Sequence, residues 1–425
     1  MQYTMNQQKS PILLAPGPTE VDPVVLNAMS TGAESHFAQP FADTFGETLT
    51  MLRTLFQSQD PRAQPFVIGG SGSLGWDFVA TNFIEPGERV LCLSTGFFSD
   101  AFAECISTYG ALTNKLTVPL GAAHDLEVVE RELRTAKYKA LVATHVETST
   151  GVLTPLKPLS DLIKRVSPET LFIVDGVASI GAEEFYFDEW EIDVVATGSQ
   201  KALSCPPGLS ILMVSALALE VALARKAPPA SWYASLSRWL PIMQSYEKKE
   251  VKYFATPPTQ LVHALHAVLT GIVSQPLEQR FRQHREKSDQ VKKAIRELGL
   301  TQLVVHPQYE ANGLTAFWLP SGLEAKEFLA TMALKGFVIS GGMHKTLGQK
   351  YVRFGHMGYS VVSEPTKHID KGVQVVRESI MEFYTSRLRE STVTTQVNVD
   401  YEHSVCSDLW QIDGQKVLDL GIEVL

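Results

Sequence analysis

Lys201 lies within IDVVATGSQKALSCPPG, and Asp175 closes the apolar run TLFIVD 26 residues earlier. An ammonium just past a buried strand loses hydration unless something uses it. One chemistry uses both groups. A lysine amine can condense with the aldehyde of pyridoxal phosphate, while a buried carboxylate keeps the cofactor's pyridine nitrogen protonated so that the ring withdraws electrons. The spacing suits two neighbouring strands of a parallel sheet, each delivering one residue to its carboxyl end. Alone, Asp175 reads as a turn residue or helix N-cap, and Lys201 as a solvated loop lysine. Their pairing points to the cofactor.

Other segments reach for the same edge. GGSGSLGW (69–76) follows a strand pattern and opens a helix pattern, so Ser71, Gly72 and Ser73 form either a tight turn or a phosphate cradle of bared backbone amides. The segment lacks the GK[ST] of a nucleotide-triphosphate loop. HVETSTGV (145–152) offers the Thr148 hydroxyl, and a His145 imidazole that reads equally as a core histidine. Phe97 or Phe98, after LCLSTG, either packs in the core or stacks on a planar cofactor. Arg353 in YVRFGHMG is either a surface ion pair or a bidentate clamp for a substrate carboxylate.

These residues need a scaffold that delivers them together. Between about 65 and 215, PFVIGG, RVLCLST, TNKLTVPL, KALVATHVET, TLFIVDG, IDVVATGS and GLSILMVS read as strands alternating with helix patterns. Runs without polar alternation are buried on both faces, which predicts an α/β fold with a mostly parallel sheet flanked by helices. Right-handed crossovers then gather the strand-to-helix turns along one edge, where ligands bind. The charged segment LEQRFRQHREKSDQVKKAIRELGL reads as a solvated helical connector. The expected division is an N-terminal arm (1–15), a large cofactor-binding domain (16–276), a small C-terminal α/β domain (277–388) and a tail (389–425) with a weak amphipathic stretch, LWQIDGQKVLDLGIEVL.

A chain of 425 residues with 44% hydrophobic and 20% charged content can bury a large core. Its net charge of −9 argues against nucleic-acid or anionic-membrane partners. No run approaches about 18 apolar residues, and MQYTMNQQKS has neither a signal core nor an Arg-rich amphipathic pattern, so a cytoplasmic location is expected. The four cysteines (92, 105, 205 and 406) lack metal-ligand spacing, and no metal is expected. Cys205, close to Lys201, is either a reactive thiol or a small buried residue.

On LLAPGPT (13–19), SGS (71–73), HVETSTGV, VDGVASIG (174–181), GSQKAL with PPG (198–208), YFATPP (253–258) and RFGHMG (353–358), the chain resembles the class V, fold-type I pyridoxal phosphate aminotransferases. Within them it is most similar to the alanine–glyoxylate and serine–glyoxylate group. The resemblance covers about residues 10 to 385, and it implies a seven-stranded large-domain sheet. It makes Lys201 the Schiff-base lysine and Asp175 the partner of the pyridine nitrogen, with Val177 packing on the ring and Thr148 near its phenolic oxygen. Ser71, Gly72, Ser73 and Gln200 would hold the phosphate, with Phe98 or Phe97 in place of a family Trp and Ser73 in place of a His. Tyr253 and Thr256 would reach the phosphate of a neighbouring subunit, implying a homodimer with shared sites. Arg353 would take the substrate carboxylate, with Gly17 backbone beside it. The implied reaction moves the amino group of L-alanine or L-serine to glyoxylate, giving glycine. The alternatives on this scaffold are 2-aminoethylphosphonate transamination, cysteine desulfuration through Cys406, or non-catalytic binding.

Overall fold

The structure, a computed structural model, describes residues 10–403, with side chains to residue 389. Helix α1 (Gln39–Phe56) turns Phe41, Phe45, Leu49, Leu52 and Phe56 inward at helical spacing. Then follow β1 (Gln64–Gly69), α2 (Leu74–Phe83), β2 (Arg89–Ser94), α3 (Phe97–Thr108), β3 (Leu112–Thr117), α4 (Leu126–Leu133), β4 (Ala140–Thr144), α5 (Leu156–Val166), β5 (Leu171–Asp175), β6 (Val194–Gly198) and β7 (Leu209–Val214). Strands β4, β5, β6 and β7 are buried at every position, as runs lacking polar alternation require. They lie within one apolar core shared with the flanking helices.

The seven strands form one sheet in the order β1-β7-β6-β5-β4-β2-β3. The pairs β2–β3, β2–β4, β4–β5 and β5–β6 are parallel, whereas β7 is antiparallel to both β6 and β1. Two reversals cancel, so β1 runs in the direction of β6 and delivers Ser71–Ser73 to the edge that also receives Asp175 and Lys201. Register sets Thr144 opposite Asp175, and Asp175 opposite Ala196. The expected mostly parallel sheet is present, with β7 as its one antiparallel insertion.

Beyond the sheet come α6 (Leu277–Glu297), β8 (Leu314–Trp318), α7 (Ala325–Leu334), β9 (Ser340–Gly341), β10 (Tyr351–Gly355) and α8 (His368–His403). Strands β8, β10 and β9 make a small antiparallel sheet. Ile12 and Leu13 pair in parallel with Phe337 and Val338, and the Gly355 amide donates to the Leu14 carbonyl at 2.7 Å, tying the N-terminal segment to this small sheet.

Two sequence expectations change here. Helix α6 is not a solvated connector: Leu277, Phe281, His284, Ser288, Val291, Lys292 and Ile295 form a buried stripe at helical spacing, hidden in sequence by the charges between them. Its Lys292, only 4% exposed, pairs with Glu310 at 3.4 Å. The expected small-domain boundary at residue 388 falls inside helix α8, which continues to His403. The chain divides into two compact units, residues 1–377 and 378–425. The first holds both sheets; within the described residues the second consists of the later turns of α8. The amphipathic stretch and Cys406 lie outside the described residues. No helix among the described residues is long and apolar enough to cross a membrane.

Candidate active site

At the carboxyl edge of β4, β5 and β6 lies a cavity of about 230 Å³, walled by Ser71, Gly72, Ser73, Trp76, Phe97, Phe98, Thr144, Thr148, Asp175, Val177, Gln200 and Lys201. Eight of the positions singled out in the sequence therefore meet in one place, together with both candidate aromatics. Another cavity, of about 440 Å³ beside Val25, Ile272 and Arg280, contains neither Lys201 nor Asp175.

Lys201 sits three residues past the end of β6, where its turn is covered by the N-terminal segment. Thr19 N donates to Gln200 O at 3.1 Å and Thr19 Oγ1 to Lys201 O at 2.8 Å. Lys201 Nζ donates to Pro16 O at 2.6 Å. Gly17, at φ +113, passes so close that a Cβ there would overlap the lysine side chain. Burial pushes the Lys201 ammonium down to about 8, helped by the Arg353 charge and opposed by Asp175. An amine with that pKa is neutral, and nucleophilic, in about a tenth of molecules at pH 7, far more than for an ordinary lysine.

Asp175, 2% exposed, is the last residue of β5. Its Oδ1 accepts from Val177 N at 2.9 Å. Burial raises its carboxyl to about 7; the Glu147 charge adds to the rise, while the Val177 amide, the Trp76 indole and Lys201 oppose it. The Trp76 N–H points towards this carboxyl without reaching hydrogen-bonding geometry. A cationic ring nitrogen beside Asp175 would offset the cost of its buried charge.

The wall carries polar atoms with nothing to bind. Trp76 Nε1, Thr144 Oγ1 and Gln200 Oε1 are buried without hydrogen-bond partners among the described residues. Buried polar groups are normally paired, so orphans clustered on one cavity mark a ligand's place. The Gly72 and Ser73 amides, at the start of α2, donate to nothing among the described residues, and the Ser71 and Ser73 hydroxyls lie 2.6 Å apart beside them. This donor set suits a phosphate. A Cβ on Gly72 would stand 2.9 Å from Val177 Cγ2, so glycine there keeps room for the Val177 side chain. A phosphorylated pyridine aldehyde fits all of this: amides and hydroxyls for the phosphate, Phe97, Phe98 and Val177 for the ring, Asp175 for its nitrogen and Lys201 for its aldehyde.

Arg353 projects from β10. Its Nε donates to Gly341 O at 2.8 Å and Nη1 to Thr148 O at 3.2 Å, with Nη2 unpartnered among the described residues. Its charge is felt at Lys201, and burial lowers its own pKa. This is no surface ion pair, because Arg353 is 9% exposed and its guanidinium is held by carbonyls. Tyr253 and Thr256 do not line the cavity and are both exposed.

Some residues fall away and others join. The His145 ring packs near Phe185 and Trp190, at 6.1 and 6.3 Å, away from the cofactor cavity. Burial raises the Cys205 thiol to about 12, which makes it inert. Trp76, Thr144 and the Pro16 carbonyl were missed. Trp76 reads in sequence as an apolar helix position, and only its stacking on Phe102 (5.3 Å, 14° between planes) explains how the ring is held. Among the described residues no cluster of His, Cys, Asp and Glu could hold a metal.

Comparison with known proteins agrees with this geometry. The family described as "Aminotransferase class-V" matches residues 13–389. The alanine–glyoxylate aminotransferase 1 of Saccharomyces cerevisiae is 41% identical over 361 residues, covering 83% of this chain and 93% of that protein. The (S)-ureidoglycine–glyoxylate transaminase of Bacillus subtilis is 32% identical, covering 86% and 90%. A crystal structure of the alanine–glyoxylate aminotransferase from Nostoc sp. superposes with a TM-score of 0.81 at 27% identity, covering 87% of this chain and 95% of that one.

Proposed function

This chain belongs to the class-V aminotransferases, and from that premise we propose that it transfers the amino group of L-alanine, or of L-serine, to glyoxylate. The observation that carries the reading is the meeting of Lys201, Asp175 and the orphaned donors of one cavity with Arg353 at its side. The two relatives described above share glyoxylate in their names and differ in the amino donor. Glyoxylate as acceptor is common to both, and the greater similarity to the alanine enzyme supports alanine as donor.

Pyridoxal phosphate supplies the carbonyl that takes the amino group and the ring that withdraws electrons. Everything else falls to the chain. The Ser71–Ser73 turn and Gln200 hold the phosphate, and Phe97, Phe98 and Val177 clamp the ring faces and exclude water. Asp175 holds a proton on the ring nitrogen. Arg353 binds the substrate carboxylate and so orients its Cα hydrogen. Lys201, half neutral at its pKa of about 8, is suited to take that Cα proton as general base, and would deliver it to the cofactor carbon that receives the amino group. The same residues then serve glyoxylate in reverse.

We further assign Tyr253 and Thr256 to the phosphate of a second copy, since both are exposed and outside their own chain's cavity. The test of the main reading is a pair of half-reactions. Protein loaded with pyridoxal phosphate should lose its visible band on adding alanine or serine and regain it on adding glyoxylate. Absence of a band, or a bleached band that glyoxylate fails to restore, would overturn the reading.

A further inference from the structure

Glu147 is fully buried, one residue before Thr148 in the hairpin that pairs Val146–Glu147 with Val152–Leu153. Its carboxylate sits on the first turn of α3. Phe98 N donates to Oε1 at 3.2 Å and Ser99 N to Oε2 at 3.0 Å, with Ser99 Oγ 2.9 Å from Oε2. On its own loop, Ser149 N and Ser149 Oγ donate to Oε1 at 3.1 and 2.6 Å. The same Ser149 Oγ accepts from Phe97 N at 3.0 Å. The N-cap of α3 is Gly96, which has no side chain to offer, and a Cβ there would overlap Ser149 Oγ. The first three amides of the helix are thus capped from another loop, the first by the Ser149 hydroxyl and the next two by an anion at the positive end of the helix dipole.

That loop also faces the substrate side. The Thr148 carbonyl accepts from Arg353 Nη1 at 3.2 Å, and the Ser149 carbonyl accepts from Tyr351 Oη at 3.0 Å. Tyr351 and Arg353 share one face of β10. One short segment therefore grips the aromatic pair of the ring wall with its side chains, and the carboxylate-binding strand with its carbonyls. We propose that Glu147 is a positioning residue that sets Phe97 and Phe98 against the cofactor ring and holds Arg353 in register with it. This rests on the functional reading above and adds to it a residue that touches neither cofactor nor substrate. Charge matters as well as shape. A glutamine at 147 would turn an N–H towards one of the helix amides and leave that amide unpaired.

The experiment compares wild-type protein with Glu147→Gln and Ser149→Ala, each loaded with pyridoxal phosphate. Both variants keep Lys201, so the visible absorption band should persist, while its circular dichroism should fall by about half or more as the ring loses its fixed wall. The cofactor dissociation constant and the KM values for alanine and glyoxylate should each rise about tenfold, the low end of what losing a hydrogen bond to a charged group costs. A cap with only a structural role would lower the melting temperature of the apoprotein and leave dichroism and KM unchanged, and that result overturns the proposal. Where Glu147→Gln does not fold, Ser149→Ala decides by the same readouts. A wild-type protein that takes up no pyridoxal phosphate removes the functional reading, and this proposal falls with it. A normal wild-type band with unaltered variants removes the proposal alone.

Discussion

Lys201 Nζ donates to the carbonyl of Pro16 at 2.6 Å, so the N-terminal segment, and not the carboxylate at the end of the neighbouring strand, holds the reactive amine. The same segment is bonded to the small sheet through Leu14 and to the Lys201 turn through Thr19. A strap bonded to the small sheet and to the Lys201 turn thereby holds one amine. To react, the amine must leave Pro16 and lose a proton. Burial has already made the second step easy.

Cofactor attachment should therefore depend on pH in a definite direction. The neutral amine is the nucleophile, and the Lys201 pKa lies near 8 in place of the usual 10.5. The initial rate of pyridoxal phosphate uptake by the apoprotein should rise through about pH 8 and level off above it. Borohydride should then fix the cofactor to the peptide containing Lys201. A rate that keeps climbing towards pH 10, or label on another lysine, would contradict the assignment.

Asp175 carries a pH signature of its own. Its folded pKa, about 7, is raised from the usual 3.8. The folded apoprotein therefore binds the extra proton, and its stability should decline as pH rises from about 4 through 7. Bound cofactor, with a cationic ring nitrogen, should offset that decline, so its stabilising effect should grow over the same window. Asp175→Asn should flatten the apoprotein profile and slow the alanine half-reaction by about a hundredfold, the lower end of general acid–base contributions. Calorimetry across the window checks the first outcome and stopped-flow absorbance the second. A variant as steep as wild type would show that Asp175 is not the group that titrates.

Why some of this was legible and some not follows from where the information sits. Asp175 and Lys201 could be read because each follows an apolar run that can only be a central strand, and strand order then puts their ends side by side. Ser71–Ser73 could be read because glycine-rich turns before helices have few uses. The Pro16 carbonyl could not, since backbone groups carry no residue-type signal. Glu147 could not either: its partners Phe98 and Ser99 are 49 and 48 residues away in sequence, and only the fold brings their amides to it. The buried stripe of α6 was masked because charged residues between its apolar positions dominate the composition.

Arg353 should act on substrates and leave the cofactor in place. Its Nε and Nη1 are committed to the Gly341 and Thr148 carbonyls, which leaves Nη2 as the donor best placed for a substrate carboxylate. Arg353→Ala should raise KM for both alanine and glyoxylate by about tenfold or more, as loss of a charge-assisted hydrogen bond demands, with cofactor content unchanged. Arg353→Lys should recover little, because an ammonium cannot hold two carbonyls and a carboxylate in one plane. Steady-state kinetics with absorbance titration of cofactor separates the effects. Loss of cofactor at normal KM would reassign Arg353 to the phosphate.

Tyr253 and Thr256 make the most exposed prediction in both senses. Tyr253 is 54% exposed and sits beside the rings of His36 and Phe37, at 5.2 and 5.6 Å; Phe37 is itself 56% exposed. Thr256 is exposed and followed by Pro257 and Pro258, which fix an extended turn and project its hydroxyl rigidly outwards. An aromatic cluster left in water beside two aimed hydroxyls is what one half of a two-fold contact looks like. In the assembled dimer the two hydroxyls would add donors to a phosphate already held by the Gly72 and Ser73 amides of the other chain. Complementation tests this. Lys201→Ala and Tyr253→Ala chains, each poor in tightly held cofactor alone, should on mixing and re-equilibration form heterodimers with one intact site. Random pairing would restore about a quarter of all sites. If cofactor retention in the mixture never exceeds the mean of the two separate variants, each phosphate is held within a single chain and Tyr253 is only a surface residue.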